Sequence, residues 1–199
     1  MSTLAWKRLL LMGISLIAAG TIGFHQIPGM IDEDAGGNHL INSIYCSVMT
    51  LTTVGFGDIC PSENITHVGR AFIVVLSFCG LGMFCGPVMD FSASWTKKVP
   101  GGALGAFVVT LGLGIAVFTV AEEMSELEAA YFSIITGTTI GYGEMGPKTD
   151  VGRLVTAVFA ILVINVVGGL LDPAKEFLSS FCVDKSAEAS KKDPEKKFV

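Results

Sequence analysis

A chain of 199 residues with 51% hydrophobic and 16% charged residues and a mean hydropathy of +0.63 is too apolar for an ordinary soluble domain, in which about a quarter of the residues are charged. The formal net charge of -5 says little, because the charges are segregated along the chain. Five cysteines (Cys46, Cys60, Cys79, Cys85 and Cys182) follow no metal-ligand spacing and are odd in number, so they read as free thiols and not as a disulfide framework or zinc site.

In chain order, the first apolar run covers residues 9–27, close to the ~20 residues that a membrane-spanning helix needs. Lys7 and Arg8 ahead of it, and Ala18, Ala19 and Gly20 within it, also suit a signal peptide. The internal repeat described below needs this helix, so we read it as a span. A shorter apolar stretch, residues 39–52, ends in Thr52-Thr53-Val54-Gly55-Phe56-Gly57-Asp58. A second run, residues 71–89, carries no charge before Met89. A third run covers residues 101–121. Another short stretch, residues 126–138, ends in Thr138-Thr139-Ile140-Gly141-Tyr142-Gly143-Glu144, and a fourth run covers residues 154–171. The four long runs predict four spanning helices. The two short stretches are too short to cross and read as re-entrant elements, which are tolerated at membrane depth only when buried in protein or lining water.

The two halves repeat at an offset of 86 residues. Tyr45 matches Tyr131, Ser47 matches Ser133, Thr50 matches Thr136, and Pro61 matches Pro147. Three residues are then lost from the second loop, and Val68-Gly69-Arg70 matches Val151-Gly152-Arg153. The expected organisation is therefore residues 1–93 as one helix, short helix, loop, helix repeat and residues 94–178 as a second, in the same orientation. Residues 179–199, charged and mostly polar, are expected to be a disordered cytoplasmic tail.

Basic residues predict the orientation. With the N-terminus inside, the inner segments hold Lys7, Arg8, Lys97, Lys98, Lys175, Lys185, Lys191, Lys192, Lys196 and Lys197; the outer segments hold Arg70, Lys148 and Arg153. That asymmetry puts both termini in the cytoplasm. The acids Asp32, Glu33, Asp34, Glu122, Glu123, Glu126 and Glu128 then fall outside, with both repeated loops.

In each loop the glycines allow backbone conformations that a side chain disfavours. An extended segment of alternating handedness turns successive carbonyl oxygens to one side, with the threonine hydroxyl as a further oxygen. Four such loops around an axis stack rings of oxygens that can replace the hydration shell of a potassium ion. On these residues the chain resembles potassium channels. The order helix, short helix, filter, helix, given twice, resembles the two-pore-domain potassium channels over residues 1–178.

The resemblance implies an all-α membrane protein with four transmembrane helices, two re-entrant pore helix and filter loops, and a homodimer forming a pseudo-tetrameric pore. It implies a K+ filter at Thr53, Val54, Gly55, Phe56, Gly57, Thr139, Ile140, Gly141, Tyr142 and Gly143, flanked by Asp58 and Glu144. The pore-helix C-termini, with their partial negative charge, would face a central cavity. Ser125 with Glu128 forms a capping box that starts the second pore helix; the first begins near Asn38 without one. The expected activity is a potassium-selective leak, with K+ as the permeant ion and no cofactor, in a plasma or organelle membrane. The lipid bilayer and a second copy are the expected partners; neither nucleic acid nor a soluble-ligand domain is implied. The alternatives are a weakly selective cation channel, a potassium transporter subunit and a non-conducting regulatory subunit. No catalytic triad, metal cluster or phosphate-cradling loop suggests an enzyme.

Departures from the family's pattern also stand out. The linker of residues 28–39 is far too short for the helical cap usual in animal members. No EF-hand loop pattern of the plant members occurs in the tail. Phe56 lacks the hydroxyl that often braces a filter from behind, and Glu144 replaces the more usual aspartate. No arginine-rich helix forms a voltage sensor. Gly80 is a candidate hinge, as are Gly86 and Gly169, which align with each other; the alternative for each is close helix packing. Asn165 is a candidate cavity-lining residue or a hydrogen-bonding partner for a neighbouring helix. Asp90 and Asp172 end the inner helices at the cytoplasmic side.

Overall fold

The computed structural model describes residues 3–83 and 98–192. The described residues form six α-helices and one short 3-10 turn, with no strand. We label the helices α1 (Thr3–Gln26), α2 (His39–Leu51), α3 (His67–Met83), α4 (Gly102–Ala121), α5 (Glu126–Gly137) and α6 (Asp150–Lys192); the turn is Glu33–Ala35. Gly86, Pro87, Asp90 and Cys85 lie outside the described residues.

Among the described residues, three helices are long and apolar enough to cross a membrane: α1 from Trp6, α4, and α6 as far as Leu170. Helix α3 is apolar but is described for 17 residues only, up to Met83. At about 1.5 Å per residue, α2 and α5 reach only about 20 Å, short of the ~30 Å hydrocarbon core. Helix α6 continues to Lys192, through residues whose composition suggests disorder. The reason is cooperative: a helix already nucleated and packed extends through Ala, Lys and Glu without a new nucleation cost.

Each short helix starts at a distinct cap. The Asn38 side chain accepts the amides of Leu40 and Ile41 at 2.9 and 3.4 Å, so α2 begins with an asparagine cap in place of a box. At α5 the Ser125 hydroxyl accepts the Glu128 amide at 3.4 Å, and the Glu128 carboxylate accepts the Ser125 amide at 2.9 Å. Both features of a capping box are present.

The core is apolar with several small polar side chains buried within it, and much of the outer surface is apolar as well. Ser43, Ser47, Ser133, Thr136 and Thr156 are buried, while Leu11, Ile14, Val75, Phe78, Val109 and Val120 are exposed. Water would penalise that surface; a bilayer solvates it. The repeats use the same helix contacts. A Cβ at Gly20 would overlap Ser47 of α2, and one at Gly114 would overlap Ser133 of α5, so a glycine lets each outer helix lie on the equivalent serine. The interior of the second repeat is aromatic: Phe118 meets Phe132 and Phe159 edge to face at 4.8 and 5.2 Å. Among inter-helix packings, α2 rests on α6, which brings the two repeats together.

Candidate ion-conducting site

The loop after each short helix leaves it through the same bonds. Thr53 and Thr139 donate their amides to Thr50 and Thr136 at 3.2 and 3.1 Å; Gly55 and Gly141 donate to Met49 and Ile135, both at 3.3 Å. Left-handed backbone then alternates with right-handed or extended backbone. The φ values are 59° at Thr53, 51° at Gly55 and 75° at Gly57; in the second loop they are 57° at Thr139, 49° at Gly141 and 81° at Gly143. Val54, Phe56, Ile140 and Tyr142 are not among the positive-φ residues. This is the alternating handedness expected from the glycine spacing, and it extends one residue further, onto the threonines. A non-glycine residue there costs about 1–2 kcal/mol, so the surrounding structure must hold Thr53 and Thr139 in place.

The two loops lie side by side. A Cβ at Gly141 would overlap the Val54 carbonyl, and one at Gly143 would overlap the Phe56 carbonyl. Gly141 and Gly143 therefore admit the close approach of the first loop's carbonyls. Behind the first loop, Phe56 stacks on Phe132 of α5 at 5.2 Å and 13°. Val54 and Phe56 are 3% and 4% exposed. Ile140 and Tyr142, at the matching positions of the second loop, are 50% and 70% exposed.

Asp58 closes the C-terminal end of the first loop. Its carboxylate accepts the Tyr45 hydroxyl at 2.9 and 3.1 Å, and a Cβ at Gly146 would press against it. Asp58 keeps exposed surface, but desolvation by the atoms packed around its carboxylate raises its pKa above the ordinary value; the Tyr45 hydrogen bond, nearby backbone amides and Arg153 oppose the shift. The second repeat places Tyr131 and Glu144 at the matching positions, and Glu144 raises the Tyr131 pKa. The brace that Phe56 cannot supply is thus made between the short helix and the acid. Sequence reasoning missed this pair, although a tyrosine stands thirteen positions before each acid. It also missed Arg153, whose Nη1 donates to Asn42 Oδ1 at 2.7 Å and to the Gly36 carbonyl at 3.1 Å.

The remaining candidates separate. Gly80 is buried, and a Cβ there would overlap the backbone of Leu51, so it is a close-packing position between α3 and α2. Gly169 is buried in α6. Asn165 is half-buried and donates to the Ile161 carbonyl of its own helix. His25 and His39 meet where α1 ends and α2 begins, with Nδ1 atoms 2.9 Å apart.

A sequence profile described as "Ion channel" matches residues 11–96 and again residues 105–180. The chain is 25% identical over 190 residues to Two-pore potassium channel 2 of Arabidopsis thaliana, covering 77% of this chain and 42% of that protein. It is 24% identical over 187 residues to Two pore potassium channel a of Oryza sativa subsp. japonica, covering 79% and 54%. A mouse protein, Potassium channel subfamily K member 4, is 28% identical over 141 residues, covering 58% and 35%. The chain spans about half the length of the plant relatives it matches.

Proposed function

The chain belongs to the ion channel family, among its two-pore-domain potassium channels, and from that premise we propose that two copies form a pore passing K+ down its electrochemical gradient. It is a membrane channel and not an enzyme. Each copy supplies two filter loops, Thr53–Gly57 and Thr139–Gly143. Carbonyl oxygens from the four loops replace the ion's water. The C-terminal ends of α2 and α5, each carrying about half a negative charge, favour a cation on the inner side of the filter. Helices α1, α3, α4 and α6 cross the bilayer with the N-terminus on the cytoplasmic side, and α2 and α5 re-enter from outside. The acids of the outer segments raise the cation concentration at the mouth, an effect that salt weakens.

The observation that carries this reading is the unequal surroundings of two loops with equal backbones. The first loop has α5 behind it; the second, in one copy, has Ile140 and Tyr142 exposed. Gly141 and Gly143 face the first loop's carbonyls, whereas a Cβ on Gly55 or Gly57 would meet nothing within 4 Å. A two-fold axis that sets the partner's second loop beside Gly55, and the partner's α2 behind Tyr142, gives all four loops the same neighbours and closes the ring. The inner helices agree: Val74 of α3 is 55% exposed, while Ala157, its counterpart on α6, is 3% exposed.

The test is the reversal potential of the purified protein in planar bilayers under opposed K+ and Na+ gradients. A value near the K+ equilibrium potential is expected. Current reversing near zero would mean a cation pore of low selectivity, loosened at Phe56 or Glu144, and would overturn the selective reading.

A further inference from the structure

Arg153 is buried at the outer end of α6, and its guanidinium crosses from the second repeat to the first. Nη1 donates to the Gly36 carbonyl and Asn42 Oδ1, and Nη2 donates to the Ala35 carbonyl at 3.1 Å. One turn earlier, the Asp150 carboxylate accepts the Asn38 amide at 3.1 and 3.2 Å. The start of α6 therefore clasps the segment that leads into α2.

Arg70 holds the same place in the first repeat. The match of Val68-Gly69-Arg70 with Val151-Gly152-Arg153 has a structural counterpart. The Gly69 amide donates to the Thr66 hydroxyl at 3.1 Å, as the Gly152 amide donates to the Thr149 hydroxyl at 2.9 Å. Both helices thus begin on the same threonine turn. Arg153 is nonetheless buried and Arg70 exposed. The surface equivalent to the one that Arg153 occupies is also exposed: by the offset that pairs Tyr45 with Tyr131, Glu128 stands where Asn42 does.

Charge adds direction to this symmetry. The start of α3 carries His67 and Arg70, whereas the entry to α5 carries Glu122, Glu123, Glu126 and Glu128. Glu122 is engaged on the amides of Lys148 and Thr149 at 2.9 and 3.1 Å. Glu128 makes both of its capping bonds through Oε2, which leaves Oε1 for an incoming donor. Inside the chain Arg153 donates to the neutral Asn42 amide of the short helix and lies 3.6 Å from Asp150 of its own helix; on the other short helix a carboxylate, Glu128, stands at the position matching Asn42.

We propose that Arg70 of each copy pairs with the partner's Glu128, an ion pair between copies that takes the place of the Arg153–Asn42 contact within each copy. The proposal rests on the homodimeric pore proposed above and names the outer contact that closes it. Two equivalent pairs form per dimer, and around the ring of four clasps the short-helix acceptor alternates between the neutral Asn42 and the charged Glu128.

A zero-length crosslink tests the register. In the Arg70→Lys variant, reconstituted in nanodiscs, a carbodiimide joins an amine only to a carboxylate in contact with it. The expected product is a covalent dimer in which peptide mapping links position 70 to Glu128. Adding Glu128→Gln removes that link and keeps the α5 cap, since glutamine also serves at this position. In the full-length protein, Arg70→Gln and Glu128→Gln each raise the monomer fraction, by about two- to fivefold as for an exposed ion pair. The double variant goes no further, because the two changes remove one interaction. If wild type is a dimer by native mass spectrometry but position 70 links elsewhere or nowhere, or the two changes add independently, the contact is overturned and the dimeric pore stands. A wild-type monomer or tetramer would overturn the dimeric reading itself, and this contact with it.

Discussion

Gly55 and Gly141 have almost the same φ but different neighbours, and the difference predicts how their variants diverge. Alanine at either position enters a left-handed backbone at a cost of about 1–2 kcal/mol and would disturb the proposed carbonyl ring. Both Gly55→Ala and Gly141→Ala are expected to abolish K+ current in planar bilayers; normal current in either would remove these loops from the pathway. Only at Gly141 does the new methyl collide with Val54 inside the same copy, so that variant is also expected to melt lower in detergent. Asp58 predicts a pH dependence. Because its pKa is raised, it takes up a proton at higher pH than an ordinary carboxylate, and the charge at the outer end of the proposed filter is lost as external pH falls. The matching contribution to stability is complete at low pH and is lost as pH rises through the raised value. Tyr45→Phe removes a hydrogen bond that favours the ionised form, so the acid-side titration of current is expected to move to higher pH. Asp58→Asn is expected to abolish it; an unchanged titration in Asp58→Asn would assign it to another group.

At the scale of elements, the short helices depend on their caps and on one arginine. Ser125→Ala removes the hydroxyl that accepts the Glu128 amide and is expected to cost about 1 kcal/mol, read as a lower melting temperature. Arg153→Gln leaves the carbonyls of Ala35 and Gly36 and the Asn42 side chain without their donor; a loss of about 1–3 kcal/mol is expected. The contact between each short helix and its inner helix is built by opposite choices. Gly80 lies on Leu51 in the first repeat; in the second, Val163 lies on Gly137. One small residue is used per contact, on alternate sides. Gly80→Ala is therefore expected to destabilise the fold by about 1–3 kcal/mol through overpacking. Unchanged melting with altered open probability would make Gly80 a hinge.

In the proposed dimer, the whole molecule is half of an enclosure. One copy leaves Tyr142, Ile140, Val74 and Arg70 exposed, while their counterparts Phe56, Val54, Ala157 and Arg153 are buried. Since the repeats are alike, exposure in one and burial in the other fits the contact proposed for a second copy. Crosslinking in native membranes is expected to capture a dimer and no larger species; a stable tetramer would contradict two loops per copy. The outward apolar faces of α1 and α4 are separate from these positions and suit lipid.

Much of this was legible in the residues themselves. Hydropathy and run length placed the helices, because a bilayer demands about twenty apolar residues for each crossing. The glycine spacing indicated the alternating backbone, because φ preference is local. The duplicated motif indicated the repeat. Other features were not legible, because they join residues far apart in the chain. No local preference says that Arg153 reaches Asn42, that Tyr45 braces Asp58, or that Phe56 rests on Phe132. Nor does composition show that α6 continues to Lys192, since a nucleated helix propagates through residues that would not start one. The sequence by itself determined a duplicated, membrane-embedded potassium-channel unit. Only the tertiary structure decided which copy of each repeated residue is covered, because burial depends on what packs against a residue as well as on its type.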